Sequence, residues 1–173
     1  IMQWQVVIGI ILLAYFFIVS FLHILFPEKH LNWNEINSDN LNFPKTFTWG
    51  VATASHQIEG GNSNNWTQFE EREKKEVSGD ACDHWNLWPS DHGMLTELGV
   101  TSYRFSIEWS RIEPEEGEWN EDAIEVYSAM VDSLLAKGIE PMITLHHFSH
   151  PIWFEEKGGF YERNNLPDFS DYC

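Results

Sequence analysis

Three groups of residues carry side chains suited to gripping a small polar molecule. His56, Gln57 and Glu59 form the first, Arg104 and Glu108 the second, and His146, His147 and Phe148 the third. A glutamine donates and accepts to adjacent hydroxyls, and an imidazole does the same. An aromatic ring covers the apolar face of a cyclic polyol. An arginine among them needs an anion, because a buried, unpaired guanidinium is expensive. Together they suit recognition of a neutral polyhydroxyl ligand beside a negative charge. The plainer expectations are that Glu59 and Glu108 form structural salt bridges and that Gln57 ties down its own loop. Trp49, Trp66, Trp85 and Trp109 are expected in the core. His146 and His147 are adjacent, so on a strand they face opposite sides and do not share a metal ion. No metal or cofactor is expected.

The elements that must position these groups alternate along the chain. Val100 to Arg111 has period-2 character, with Tyr103, Phe105, Ile107 and Trp109 on one side and Ser102, Arg104, Ser106 and Glu108 on the other. A polar second face fits a strand looking into an enzyme barrel, or an exposed edge strand. Phe47 to Ala54 is expected as the strand before it, followed by a loop from Ser55 to about Asn86. Ser90 can cap a helix whose apolar stripe is Met94, Leu95 and Leu98, ended by Gly99. After a turn at Pro114 to Gly117, Asn120 caps a second helix. Its apolar face is Ala123, Val126, Tyr127, Met130, Leu134 and Leu135, and Lys137 and Gly138 end it. Ile139 to His147 is the next strand, and Pro167 to Cys173 begins another helix. Such alternation predicts a parallel sheet, either a barrel or an open doubly wound sheet. In both, ligands bind at the C-terminal ends of the strands, where the three groups fall. No Gly-rich phosphate loop follows a strand, which lowers the nucleotide-binding alternative.

The 173 residues make room for one modest domain or part of a larger one. A net charge of -17 excludes the basic patch that nucleic acid requires and disfavours attraction to anionic lipid. Cys82 and Cys173 have no metal-ligand spacing and predict no disulfide framework. Val6 to Phe26 is almost wholly apolar and long enough to span a bilayer. No basic segment precedes it and no small-residue cleavage site follows, which favours an anchor over a cleaved signal peptide. The expected organisation is an anchor at 1–27, spanning through 6–26, a polar linker at 28–42 and a folded domain from 43 to 173. Lys29 and His30 lean weakly toward a cytoplasmic domain. Asn65-Trp66-Thr67 fits a glycosylation sequon.

At this point several ordered motifs resemble one family. Phe43-Pro44-Lys45-Thr46-Phe47-Thr48-Trp49-Gly50-Val51-Ala52-Thr53-Ala54-Ser55-His56-Gln57-Ile58-Glu59-Gly60 resembles the N-terminal signature of glycoside hydrolase family 1. Gly79 to Trp85, Tyr103 to Ile112, and Thr144 to Phe148 with Pro151 follow in the family's order. Gly158-Gly159-Phe160 is similar to the family's Lys-Gly-Gly-Trp element, with phenylalanine for tryptophan. The resemblance implies the first three strands of a (β/α)₈ barrel and retaining hydrolysis of β-glucosides or β-galactosides. It implies sugar-binding roles for Gln57, His147 and Phe148, and contact between Arg104 and the nucleophilic glutamate. Phe148 stands where many members have tryptophan. The family's acid/base and nucleophile lie in Asn-Glu-Pro and Glu-Asn-Gly motifs, expected beyond Cys173. The 173 residues alone are therefore expected to be inactive, and poorly stable with open sheet edges. A pseudo-glycosidase that binds sugar or protein without hydrolysis is the rival of the same fold. Strict alternation from Thr144 would put His146, not His147, on that face. The resemblance therefore requires the strand to bulge or end before His147.

Overall fold

The computed structural model describes residues 2–27, 32 and 42–173. The chain divides into two units, Ile1–Lys45 and Thr46–Cys173. The first contains helix α1 (Met2–Leu25). Its stretch Val6–Leu25 has a mean hydropathy of 2.6 and buries nothing, so it is long and apolar enough to cross a membrane. Spanning anchors and signal sequences share those two properties. Of the expected linker, only residues 32 and 42 lie among the described residues.

The second unit is built on three short parallel strands, β1 (Gly50–Ala52), β2 (Ser102–Ser106) and β3 (Glu140–Thr144), in the order β1-β2-β3. Ala52 pairs with Arg104, and Arg104 with Met142. Between β1 and β2 come α2 (Ser55–Ile58), α3 (Asn65–Arg72) and α4 (His84–Leu98). Between β2 and β3 come α5 (Trp109–Ile112) and α6 (Glu121–Ala136). After β3 come α7 (Ile152–Glu156), two 3₁₀ turns and α8 (Leu166–Tyr172).

Tyr103 and Phe105 of β2 point into the core, where they meet Tyr127, Met130 and Leu134 of α6 and Trp85, Trp88 and Leu95 of α4. Both long helices therefore cover the same face of the sheet. A doubly wound sheet would carry helices on both faces. One-sided winding in sequential order is the arrangement of a barrel wall. Burying each large core side chain contributes about 1.5–3 kcal/mol. Helix α6 is legible residue by residue. Asn120 Oδ1 accepts the Ala123 N–H at 3.2 Å, and Glu121 and Asp122 sit at the positive end of the helix dipole. At its end Gly138 has φ +73°. Gly138 N–H then reaches Leu135 O and Ile139 N–H reaches Leu134 O, both at 3.0 Å, a Schellman cap.

Several boundaries differ from expectation. Strand β2 stops at Ser106 because the Glu108 backbone turns away to cap α5, its N–H donating to the Tyr127 hydroxyl at 3.0 Å. Trp109 therefore leaves the alternation and packs fully buried among Trp153, Phe154, Phe169 and Tyr172. Strand β1 is shorter than Phe47 to Ala54, although Thr53 N–H extends the ladder to Arg104 O at 2.9 Å. The segment from Ser55 to Asn86 holds two helices rather than a loop. Helix α4 begins at His84, not after Ser90, and carries Pro89 inside it. Its buried face is set by Trp85, Trp88, His92 and Leu95, while Met94 and Leu98 are exposed, as is Leu135 of α6. Strand β3 ends at Thr144, which frees His147 from the alternation and removes the conflict over its face.

Candidate functional site

The site gathers where β1 and β3 end. Ser55 opens α2, and this short helix carries His56 and Gln57. Asn64, fully buried, starts α3 through a capping box: its Oδ1 accepts from Trp66 N and Thr67 N at 3.0 Å, and its N–H donates to Thr67 Oγ1 at 2.9 Å. The box points Trp66 toward the loop after β3. There the indole Nε1 donates to the Phe148 carbonyl at 3.1 Å, and Asn65 Nδ2 reaches the same oxygen at 3.3 Å. Phe148 has φ +69°, a left-handed conformation unusual for a bulky residue and held here by those two donors.

Ala54, His56, Gln57, Trp66, His147 and Phe148 line a cleft of about 410 Å³, within the roughly 300–1,000 Å³ range of small-molecule sites. The side chains of Gln57 and His147 make no hydrogen bond among the described residues, so their donors and acceptors are available. This answers the expectation that Gln57 only ties down its loop. His56 is fixed instead. Its Nδ1 faces Asn64 Nδ2 at 3.2 Å and its Nε2 faces Glu70 at 3.1 Å, an arrangement satisfied when the proton sits on Nε2. Trp66 is 42% exposed in this cleft, not a core residue. Trp49 is likewise exposed. His146 and His147 point apart. His146 packs on Phe160 and Phe169 and lies 3.4 Å from His150, and burial with the neighbouring His150 and His147 pushes its pKa down to about 4.

Arg104 shares the helix-free face with Ser102 and Ser106, one strand in from Gln57 and one from His147. It is exposed rather than enclosed, it has no ion pair among the described residues, and it is not among the cleft's lining residues. The expected burial of this guanidinium fails because only three strands surround it, which leaves its face open.

Two carboxylates lie beneath the cleft. Glu59 forms the expected salt bridge, with Arg111 Nε at 3.0 Å, and accepts the Tyr127 hydroxyl at 2.8 Å. Burial pushes its pKa up to about 7, against the pull of Arg111 and Tyr127. Arg111 also bonds Asn62 Oδ1 and the Gly60 carbonyl and stacks 4.1 Å over Trp85. Glu108 has no cation partner among the described residues, contrary to expectation. Its oxygens accept hydroxyls from Ser55 at 2.9 Å, Ser149 at 2.8 Å and Ser110 at 3.0 Å. These serines were not singled out from the sequence, because isolated serines carry no local signal of convergence. The sequon asparagine is also committed: Asn65 Oδ1 accepts His150 N–H at 2.9 Å.

A sequential parallel sheet with helices on one face and polar side chains at the strand ends defines part of an α/β barrel. Residues 39–173 match the sequence profile described as Glycosyl hydrolase family 1. The chain belongs to that family. It is similar to β-glucosidase A of Thermotoga maritima, 40% identical over 141 residues, which cover 75% of this chain and 32% of that one. It is 37% identical to the cytosolic β-glucosidase of Homo sapiens over 144 residues, 76% of this chain and 31% of the relative. Among solved structures, the β-glycosidase from Pyrococcus horikoshii superposes with a TM-score of 0.73 at 48% identity, over 76% of this chain and 32% of that one. The chain spans about a third of the length of these relatives.

Proposed function

We propose that residues 43–173 form the sugar-gripping wall of a retaining β-glycosidase acting on β-linked glucosides or galactosides. One observation carries this reading: the cleft joining Gln57 and His147, neither of which makes a side-chain hydrogen bond among the described residues, to the rings of Trp66 and Phe148. Gln57 and His147 bind adjacent hydroxyls of the non-reducing sugar, and Phe148 covers its apolar face. Retention requires two carboxyl groups about 5–5.5 Å apart, an acid/base and a nucleophile. Neither family motif that carries them occurs in these 173 residues, so both are assigned to further chain that closes the barrel. Arg104 then meets the nucleophile, favours its ionised form and gains the anion that its position calls for.

Family membership supports glycoside hydrolysis, and the β-glucosidase relatives favour a β-glucoside. Helix α1 anchors the enzyme to a membrane in this reading, with 28–42 as the tether, supported by the length and apolarity of Val6–Leu25. The test is incubation of the full-length protein with an aryl β-D-glucoside while the released sugar is followed by NMR. β-Glucose appearing before its α-anomer is expected; α-glucose first, or no release, refutes the reading. Alkaline carbonate should leave the protein in the membrane pellet, and its recovery in the supernatant would refute the anchor.

A further inference from the structure

The two loops that line the cleft converge on one oxygen atom. Glu108 Oε2 accepts from Ser55 Oγ at 2.9 Å and from Ser149 Oγ at 2.8 Å. Ser55 stands two residues before Gln57, and Ser149 two residues after His147. Among the described residues no hydrogen bond joins the 55–58 and 146–150 segments directly, and Glu108 bridges them. Ser55 is held further from the β2 side, its N–H donating to Ser106 Oγ at 2.7 Å and its Oγ accepting from Ser106 Oγ at 3.0 Å. Oε1 is occupied by Ser110 of α5 at 3.0 Å. The Glu108 backbone is fixed in turn by the Tyr127 hydroxyl on α6. The carboxylate thus sits on a rigid mount, is completely buried, and is satisfied by hydroxyls from the ends of all three strands.

A buried carboxylate without a cation is expensive, and an apolar residue would fill the same space without three donors to satisfy. What a shared acceptor supplies, and an apolar contact does not, is a fixed distance between two donors. We infer that Glu108 is a positioning residue for the sugar cleft: by holding Ser55 and Ser149 on one oxygen, it sets the spacing between Gln57 and His147. This inference rests on the β-glycoside reading above. It makes Glu108 a determinant of sugar affinity, although the residue does not line the cleft.

The test compares variants of the full-length protein on an aryl β-D-glucoside. Glu108→Gln keeps one carbonyl oxygen for Ser55 and Ser149 and turns its amide toward Ser110, so KM should stay within about twofold of the parent. Glu108→Ala should raise KM by about tenfold or more and lower kcat by less than about threefold, since misplacement of binding groups by an ångström is costly. Ser55→Ala and Ser149→Ala should each give part of that rise. Their double variant should match Glu108→Ala rather than multiply, because one acceptor serves both. Glu113→Ala is the control. That buried carboxylate accepts Trp109 Nε1 at 2.8 Å and Gly117 N–H, but it joins neither loop, and its loss should leave KM unchanged. Equal KM shifts in the Glu108 and Glu113 variants, or no rescue by glutamine, would overturn the inference. Hydrogen exchange of the parent and Ser149→Ala separates this from failure of the glycosidase reading. Amides 56–58 and 147–150 should exchange faster together in the variant, whatever the substrate. Unchanged exchange in either segment overturns the positioning role alone.

Discussion

Asn65 grips His150 twice: its backbone N–H donates to the His150 carbonyl at 3.1 Å, and its Oδ1 accepts the His150 N–H at 2.9 Å. Its remaining amide group holds the Phe148 carbonyl. The side chain that a sequon would offer for glycan attachment is thus spent on the loop carrying the cleft. The protein passed through a glycosylating compartment should carry no glycan at Asn65, read by intact mass. Asn65→Ala should lower unfolding stability by about 1–3 kcal/mol, since the part-buried His150 N–H loses its acceptor. Occupancy of the sequon in the folded protein would contradict this account.

Glu59 has a pKa of about 7 when folded and about 4.3 when unfolded. The folded state therefore binds more protons across that interval. Stability from this group is complete below the unfolded value and is lost as pH rises through about 7. Glu59→Gln keeps one carbonyl oxygen within reach of both Tyr127 and Arg111 but does not titrate. Urea unfolding from pH 4.5 to 7 should show the parent losing about 3 kcal/mol relative to this variant. Parallel profiles would show that Arg111 keeps Glu59 ionised throughout.

His92 works in the opposite direction. Burial, with His84 and Lys137 adding to it, lowers its pKa to about 4, and its Nε2 has no hydrogen-bond partner among the described residues. The unfolded imidazole titrates near 6.5. Its contribution is complete above that pH and is lost as pH falls toward about 4. His92→Gln, which can keep the bond to Ser133 Oγ, should flatten the acid limb of the stability profile by up to about 3 kcal/mol. An acid limb as steep as the parent's would exclude His92 as its source.

Gly60 has φ +78°, and a Cβ there would lie 2.1 Å from the Asp80 carbonyl oxygen. Its own carbonyl accepts from Arg111. Gly60→Ala meets both a left-handed backbone and a backbone clash, so a loss of more than about 3 kcal/mol, or no soluble protein, is expected. Gly61→Ala has the same sign of φ but open space around it, and should cost about 1 kcal/mol. Equal costs at both positions would contradict the clash.

The parts of the fold written in local chemistry were legible. The α6 caps, its Tyr127–Met130–Leu134 stripe and the alternation around Arg104 all act within a few residues. The boundaries depended on contacts distant in sequence. Helix α4 runs through Pro89 because Trp85, Trp88 and Leu95 bury one face, and that tertiary gain outweighs a lost hydrogen bond. Strand β2 ends early because the Glu108 backbone turns to cap α5 and donates to the hydroxyl of Tyr127, 19 residues on. For the site, motif order pointed to Gln57, His147 and Phe148, which share the cleft. The Glu108 hub and the Trp66–Phe148 latch were hidden, since neither has a spacing that local pattern can register.

The central claim is that the cleft between Gln57 and His147 grips the sugar. Steady-state hydrolysis of an aryl β-D-glucoside by the full-length protein and its Gln57→Ala variant tests it most directly. The account predicts measurable turnover by the parent and a fall in kcat/KM of about 100-fold or more in the variant, as two hydroxyl contacts are lost. Parent and variant hydrolysing the glucoside equally well would place sugar binding elsewhere.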